Sequence, residues 1–589
     1  MHFNKPKYAL LAGICLLLAL PGAAQPITGA NDAYQYVQEK RQAAGKLWEP
    51  ETASDADIRQ GIALLRECLT YLDSSLVSDL AQGDASLRGR WHDVYYDLAI
   101  AHARLQDKPG TIAYLERMFD AGSSSGVIAW LERRKPLDFI RQEPAYQDII
   151  NRLKAQKDFW NYQALRTPYR EDLPEEEKSA GLSLFWTMAR QNFVFFDRIP
   201  HLNWDSLYLS YLPRVRATKS TLEYYQVLQR MCAHLQDGHT NVYVPQELSR
   251  QVYGRPPLRT ALVEEQVVIT EVNSDSLRKS GIVPGMEIVR IDGIPVKEYA
   301  RERVAPYQSS STPQDRDVRT YGYFLLAGPE DKPVAVELKD ARGKLSQRTL
   351  LRQGYGSAPR PPLLDFKVLK GNIAYVTLHS FENKKIVDAF DSLFPAIRQT
   401  DGLILDVRSN GGGNGDYAFQ ILGYLTDQPF KLSRWKGLIY QPVLRTWGLE
   451  TQWTTASAGE AQPNGKKHYQ GPVVVLQGPR SFSATEDFLV AFDYMGRGTL
   501  MGEASGGSTG QPLSFSLPGG GSARVCAKRD SYPDGKEFVG VGLFPNVVVR
   551  PTVSGIQTGR DPVLEAAVKH LKAAAGGGNP GGKARDQTR

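Results

Sequence analysis

Apolar residues recur at three- and four-residue intervals from about Asn31 to Gln156, the spacing of amphipathic helices. "DVYYDLAIAHARL" (93–105) and "TIAYLERMFDAG" (111–122) are the clearest cases, and Gly122 is placed to stop the second. Proline and charge make "RTPYREDLPEEEKSAG" (166–181) a linker, after which helical spacing resumes in "LSLFWTMARQNFVFF" and "TLEYYQVLQRMCAHLQDGHT". The period then changes. "QVVITEVNSDSLRKSGIVPGMEIVRIDGIPVKEY" predicts a strand, a short helix, a Pro-Gly turn, a second strand and an Asp-Gly turn.

Beyond "GSAPRPPLLD" strands and helices alternate. "NIAYVTLHSF", "GLILDV", "PVVVLQG" and "GTLMGE" read as strands, separated by the helical "KIVDAFDSLFPAIRQ", "GDYAFQILGYL" and "ATEDFLVAFDYMG". Continuous apolar strands between amphipathic helices predict a layered α/β core with both sheet faces covered. The tail "AAAGGGNPGGKARDQTR" has nothing to bury and is expected to be disordered. The expected division is a leader at 1–24, a helical domain at 25–165, a helical stretch carrying "DGHT" at 166–250, a small β domain at 251–355, the α/β core at 356–571 and a tail at 572–589. A chain of 589 residues is too long for a single core.

The leader is assigned from its order of charge and apolarity. Two lysines precede an apolar run from Ala9 to Leu20, and Gly22, Ala23 and Ala24 follow, the layout of a secretory signal. The run falls short of the roughly 20 residues that span a bilayer, so cleavage after Ala24 and an exported protein without a membrane anchor are expected, either periplasmic or extracellular. Cleavage there would remove Cys15 and leave Cys68, Cys232 and Cys526, with no metal-ligand spacing and no disulfide framework; no metal or cofactor is implied. The net charge of +7 comes from basic residues scattered among nearly as many acids, without the basic and aromatic stripe of a nucleic-acid binder.

Three segments carry candidate chemistry. "SATE" puts Ser483 three residues before Glu486 at a strand-to-helix junction, the pattern of a capping box. A nucleophile would use the same place, because helix N-terminal N–H groups can also hold an oxyanion. "DVRSNGGGNGD" offers Gly411, Gly412 and Gly413 after a buried strand, where the backbone can approach a ligand; it lacks the Lys-Ser/Thr ending of a phosphate loop. "LQDGHTNVYVP" puts His239 after an Asp-Gly helix stop, as a dipole-compensating cation or as a general base.

Taken together, "GLILDVRSNGGG", "PVVVLQGPRSFSATEDF", "GRGTLMGEASGG" and "GVGLFPNVVV" follow in the order found in the C-terminal processing peptidases, or tail-specific proteases, which the chain resembles from roughly Leu182 to Leu571. "SGIVPGMEIVRIDGIPV" resembles the PDZ signature of secreted bacterial proteases, and the helical pair joined by "QDKPG" is similar to a tetratricopeptide (TPR) unit, a generic helical bundle being the alternative. The resemblance implies a serine endopeptidase with a crotonase-like catalytic core. Polypeptides are the implied substrates, with C-terminal tails candidates for capture at the PDZ-like domain; oligomeric state is left open.

Carried across, Ser483 is the nucleophile, and the N–H groups of Ala484, Gly411 and Gly412 form the oxyanion hole. The best-known branch places a lysine base about 25 residues after the serine, but here Ser508 stands at that place in "ASGGSTG". His239 then becomes the base, as in the Ser–His branch that includes the tricorn protease core. That branch adds an acidic residue near the C-terminal strand, for which Glu537 is the candidate, while Asn546 stands where an aspartate commonly follows the proline. Two other functions remain open at this point: a non-catalytic carrier of retinoids or lipids, like the interphotoreceptor retinoid-binding protein of the same fold, and a PDZ scaffold with a dead core.

Overall fold

The computed structural model describes residues 29–576 except 124, 161, 355–360, 450–451 and 466–467; the leader at 1–24 lies outside the described residues. The chain divides into two compact units at Gly122/Ser123. Helices there continue past the boundary, so Pro144–Trp160 falls in the second unit, whereas periodicity alone runs the first helical domain on to residue 165.

The first unit is all helix. Ala30–Trp48, Asp55–Leu72, Arg90–Arg104 and Lys108–Asp120 are its long members. Asp107 turns the last two against each other: its carboxylate accepts from Gly110 N–H at the start of the second helix (3.1 Å). Inside, the Arg41 guanidinium donates to Asp97 (2.7 Å) and Asp93 (3.2 Å), which satisfies charges that burial would otherwise penalise.

The second unit holds two main sheets. The larger has six strands in the order Val547–Val548, Thr499–Gly502, Val473–Gln477, Gly402–Asp406, Ile373–Leu378 and Leu364–Leu369; all pair in parallel except the last. Its central strand shows why these residues form it. Leu403 and Leu405 belong to the cluster with Phe390 and Phe488 of the helices Lys385–Ile397 and Ala484–Tyr494. Ile404 belongs to the cluster with Val563, Ala567 and Leu571 of the helix Pro562–Gly576. Both faces are covered, as the unbroken apolar strands predict. The last helix runs to Gly576, past the expected boundary at 571, because "KAAA" continues it with strong helix formers.

The second sheet is antiparallel, in the order Leu258–Val263, Gln266–Val272, Glu287–Ile291, Val334–Lys339 and Leu345–Leu350, around its own apolar cluster. The predicted Asp-Gly turn is present, with Asp292 and Gly293 both at positive φ (48° and 79°).

Residues 173–252 share the large cluster of the six-stranded sheet: Phe185, Tyr224 and Leu228 pack with Leu517 and Val525. The strand Asn241–Tyr243 pairs with Ser522–Cys526, Asn241 opposite Arg524. Tyr225 Oη donates to Pro518 O (2.7 Å) and accepts from Gly521 N–H (3.0 Å). The "DGHT" segment is thereby fixed to the sheet-bearing core. Among the described residues no helix is long and apolar enough to cross a membrane.

Ile404 is fully buried. Ile404→Ala is expected to cost about 2–5 kcal/mol in chemical denaturation, the range for emptying a packed core site.

Candidate active site

The strand Val473–Gln477 ends at Gly478, and the chain turns before the helix Ala484–Tyr494. The three hydroxyls of this turn do different things. Ser481 Oγ is buried, accepts from Gly478 N–H (3.1 Å) and donates to Val407 O (2.8 Å), tying the turn to the neighbouring strand end. Thr485 Oγ1 is buried without a hydrogen-bond partner among the described residues. Ser483 is half-buried, and its backbone sits at φ 58° and ψ −128°, a region that L residues rarely adopt. Its N–H donates to Ser508 O (3.0 Å), and its carbonyl accepts from Glu486 N–H (2.7 Å), which holds the strained residue in place.

The capping box expected at Ser483–Glu486 does not form. Ser483 makes no side-chain cap, and Glu486 turns away to the 505–508 loop. There its carboxylate accepts from Ser505 Oγ (2.5 Å), Gly507 N–H (2.7 Å) and Ser508 N–H (2.8 Å). Burial pushes this carboxyl up to about 8, against the pull of those three donors.

His239 Nε2 lies 3.0 Å from Ser483 Oγ, although the residues are 244 positions apart. His239 Nδ1 lies 2.8 Å from Ser508 Oγ. The ring stacks on Phe482, centroids 4.8 Å apart and planes 7° apart, and the residue is only 4% exposed. Burial, with the cations Arg524, Arg319 and Lys528, pushes the imidazole well below its ordinary value near 6.5. The ring is therefore neutral at neutral pH. With its proton on Nδ1, donated to Ser508 Oγ, Nε2 presents a lone pair to the Ser483 hydroxyl.

The motif around His239 is explained residue by residue. Asp237 Oδ2 accepts from His239 N–H (3.1 Å) and Thr240 Oγ1 (2.7 Å). A Cβ at Gly238 would lie 2.9 Å from Phe482 Cζ and 3.0 Å from Ser508 Oγ, so only glycine fits without displacement. Thr240 Oγ1 accepts from Cys526 N–H (3.0 Å). A further brace comes from Ser311, Thr312, Asp315 and Arg319. Ser311 Oγ accepts from Gly238 N–H (2.8 Å), Arg319 donates to Gly238 O (3.0 Å) while paired with Asp315, and Thr312 Oγ1 donates to Gly506 O (2.7 Å).

The glycine loop lies against the serine turn. Gly412 has φ 104°, and a Cβ there would fall 2.7 Å from Phe482 O and 2.8 Å from Ser483 Cβ. Its N–H already donates to Asn410 Oδ1 (2.9 Å), so Gly412 contributes close approach rather than the free donor expected of it. Among the described residues, the N–H groups of Gly411 and Ala484 have no protein acceptor. Asn410, fully buried, also donates from Nδ2 to Leu378 O (3.1 Å) and accepts at its carbonyl from Phe482 N–H (3.2 Å).

Glu537 is not brought to this constellation. It pairs with Arg529 (2.9 and 3.0 Å) and Arg198 (3.2 Å), and these partners hold its carboxyl below the usual range despite burial. Asn546 accepts from Leu500 N–H (2.6 Å) at the sheet edge. Lys528 pairs with Asp530 (2.9 Å); burial lowers its ammonium, but Asp530 and Asp487 outweigh that and raise it. Such a lysine is a cation rather than a base. Among the described residues no group of acids, histidines or cysteines is arranged to hold a metal ion.

Sequence reasoning missed Ser508 as a partner of His239, and Asn410 and Glu486 as supports. Ser508 carried one signal, its position where a lysine stands in related sequences. Asn410 and Glu486 carried none, because their roles depend on which loops meet.

The chain is similar to known proteins over much of its length. Residues 372–549 match the family model of peptidase family S41, and residues 174–233 that of the tricorn protease C1 domain. A carboxyl-terminal-processing protease of Synechocystis sp. is 23% identical over 400 residues, covering 66% of this chain and 84% of that protein. Another, from Picosynechococcus sp., is 22% identical over 375 residues, covering 62% and 81%. The fold is similar to that of mature CPAF, with a TM-score of 0.52, 14% identity and coverage of 68% of this chain and 98% of that one.

The depressed imidazole has a measurable consequence. Below about pH 6.5 the unfolded chain takes up a proton at His239 that the folded chain does not, so folding is disfavoured as pH falls toward the lower folded value. The unfolding free energy of the wild type should therefore fall more steeply with acid than that of His239→Gln in chemical denaturation, by up to about 1.4 kcal/mol per pH unit.

Proposed function

Because the chain is a serine-type peptidase of the C-terminal processing peptidase family, we propose that it is an exported endopeptidase working through a Ser–His acyl-enzyme rather than a Ser–Lys one. The single observation that carries this is the 3.0 Å approach of His239 Nε2 to Ser483 Oγ; Lys528, the first lysine after the serine, is held as a cation by Asp530 and Asp487.

In this mechanism His239 Nε2 accepts the Ser483 proton as Oγ attacks the substrate carbonyl carbon. The charge that develops on the carbonyl oxygen is held by the unengaged N–H groups of Ala484 and Gly411. The imidazolium returns its proton to the leaving amine, and a water molecule, activated by the same ring, hydrolyses the acyl-enzyme. Ser508 takes the place an acid holds in other triads: its oxygen accepts the hydrogen bond from Nδ1–H and fixes the tautomer. A neutral hydroxyl stabilises the imidazolium less than a carboxylate would, and it adds no charge of its own beside the ring. Glu537 has no part in this scheme.

The remaining domain roles follow the same reading. Residues 1–24 are a signal peptide, 25–165 a TPR-like helical domain that recruits a partner, 166–250 the segment that presents the base, and 356–571 a crotonase-like core. Residues 251–355 are a PDZ-like module that captures a substrate's C-terminal tail at a free sheet edge. Its edge strands are Leu258–Val263 and Leu345–Leu350, and the first is met by Tyr321, whose carbonyl accepts from the Thr260 hydroxyl.

Hydrolysis of an unfolded protein or a C-terminally tagged peptide should fall by about 1,000-fold or more in Ser483→Ala and in His239→Ala, with unchanged circular dichroism. Parental turnover in either variant contradicts the assignment. Ser508→Ala should lower kcat with little change in KM, by about 5- to 150-fold, equivalent to about 1–3 kcal/mol for an orphaned buried N–H. An unchanged kcat would remove Ser508 from the mechanism.

A further inference from the structure

A cavity of about 870 Å³ opens beside the base-bearing segment, between the end of the helix Thr221–Ala233 and the segments 297–308 and 310–321. Its lining is strongly one-signed: Arg230, Lys297, Arg301 and Arg316 against the single carboxylate of Asp317. Lys297 and Arg301 are engaged by Glu265 (2.7 Å) and Glu302 (3.0 Å). Arg230 lies over Tyr307, 4.7 Å from the ring centroid, and among the described residues neither Arg230 nor Arg316 forms an ion pair. Two hydroxyls of the lining, Thr320 Oγ1 and Ser310 Oγ, are buried with no hydrogen-bond partner among the described residues, and Thr320 is only 3% exposed.

We propose that this cavity is an exosite for an acidic peptide segment, which rests on the peptidase reading for the source of that segment. The cations come from separate segments, Arg230 from the helix Thr221–Ala233, Lys297 and Arg301 from 297–308 and Arg316 from 310–321, a distribution suited to spaced carboxylates along a chain. The volume accommodates several residues. The floor of the cavity is also part of the catalytic brace, since Ser311 and Thr312 line it while holding Gly238 N–H and Gly506 O. An acidic stretch remote from the scissile bond would thus be held against the scaffold of His239, and substrates carrying one would be preferred.

The test uses the full chain with Ser483→Ala, so that binding is read without cleavage. Fluorescence anisotropy with labelled hexaglutamate should show binding that weakens as salt rises, with no binding of a Gly-Ser hexapeptide or of hexalysine. Arg230→Gln combined with Arg316→Gln should weaken it at least about tenfold. With Ser483 restored, that double variant should cleave a peptide lacking acids at the parental rate and lose the preference for one carrying a glutamate tract. The proposal is overturned if hexaglutamate does not bind, if the double variant binds it as tightly as its parent, or if only inorganic phosphate binds. Failure of the peptidase reading would appear separately, as absence of hydrolysis by the parent while hexaglutamate still binds its Ser483→Ala form.

Discussion

Everything at this site depends on keeping one buried imidazole neutral and aimed at one hydroxyl. Transferring a ring like that of His239 out of water disfavours its charged form, and three nearby cations add to the effect. The ring therefore holds a lone pair toward Ser483 at neutral pH, but it needs a partner on its other nitrogen to fix which lone pair that is. Ser508 is that partner. Most of the surrounding structure serves to place these three groups: Phe482 packs flat against the ring, Gly238 makes room for it, and Glu486 pins the backbone that carries Ser508.

The arrangement also explains the cost the fold accepts at Ser483. A serine at φ 58° is strained by roughly 1–3 kcal/mol, and its side chain forgoes the cap that a helix start would ordinarily receive. In return Oγ leaves the helix axis and meets the imidazole, while Ala484 N–H, the first of the helix, stays unengaged. Glu486 shows the same trade. A carboxyl buried beyond the reach of water is expensive, but its three donors come from the loop whose position decides where the His239 partner sits.

Much of this was legible in the residues. The alternation of apolar runs and amphipathic segments is enough to predict a layered α/β core with both sheet faces covered, and in it the strand of "GLILDV" pairs in parallel on both sides. The glycines of "SNGGG" and "DGHT" signal close approach. What they approach is not written in either segment, since Gly412 meets Ser483 and Gly238 meets Phe482 across long separations in sequence. The acidic partner was sought in Glu537 because its segment lies close to the right place along the chain. Its carboxylate is instead satisfied by Arg529 and Arg198, a local pairing that spacing cannot reveal. Gly412 was expected to donate its N–H; the buried Asn410 side chain takes that donor and makes the glycine's contribution steric.

The most direct measurement of the central claim is covalent capture of the nucleophile. A fluorophosphonate that reacts with activated serines should add once to the wild-type chain, at Ser483 by peptide mass spectrometry, and His239→Gln should slow that addition by orders of magnitude. Labelling of Ser483 at the parental rate without His239, or labelling at another serine, would contradict the account.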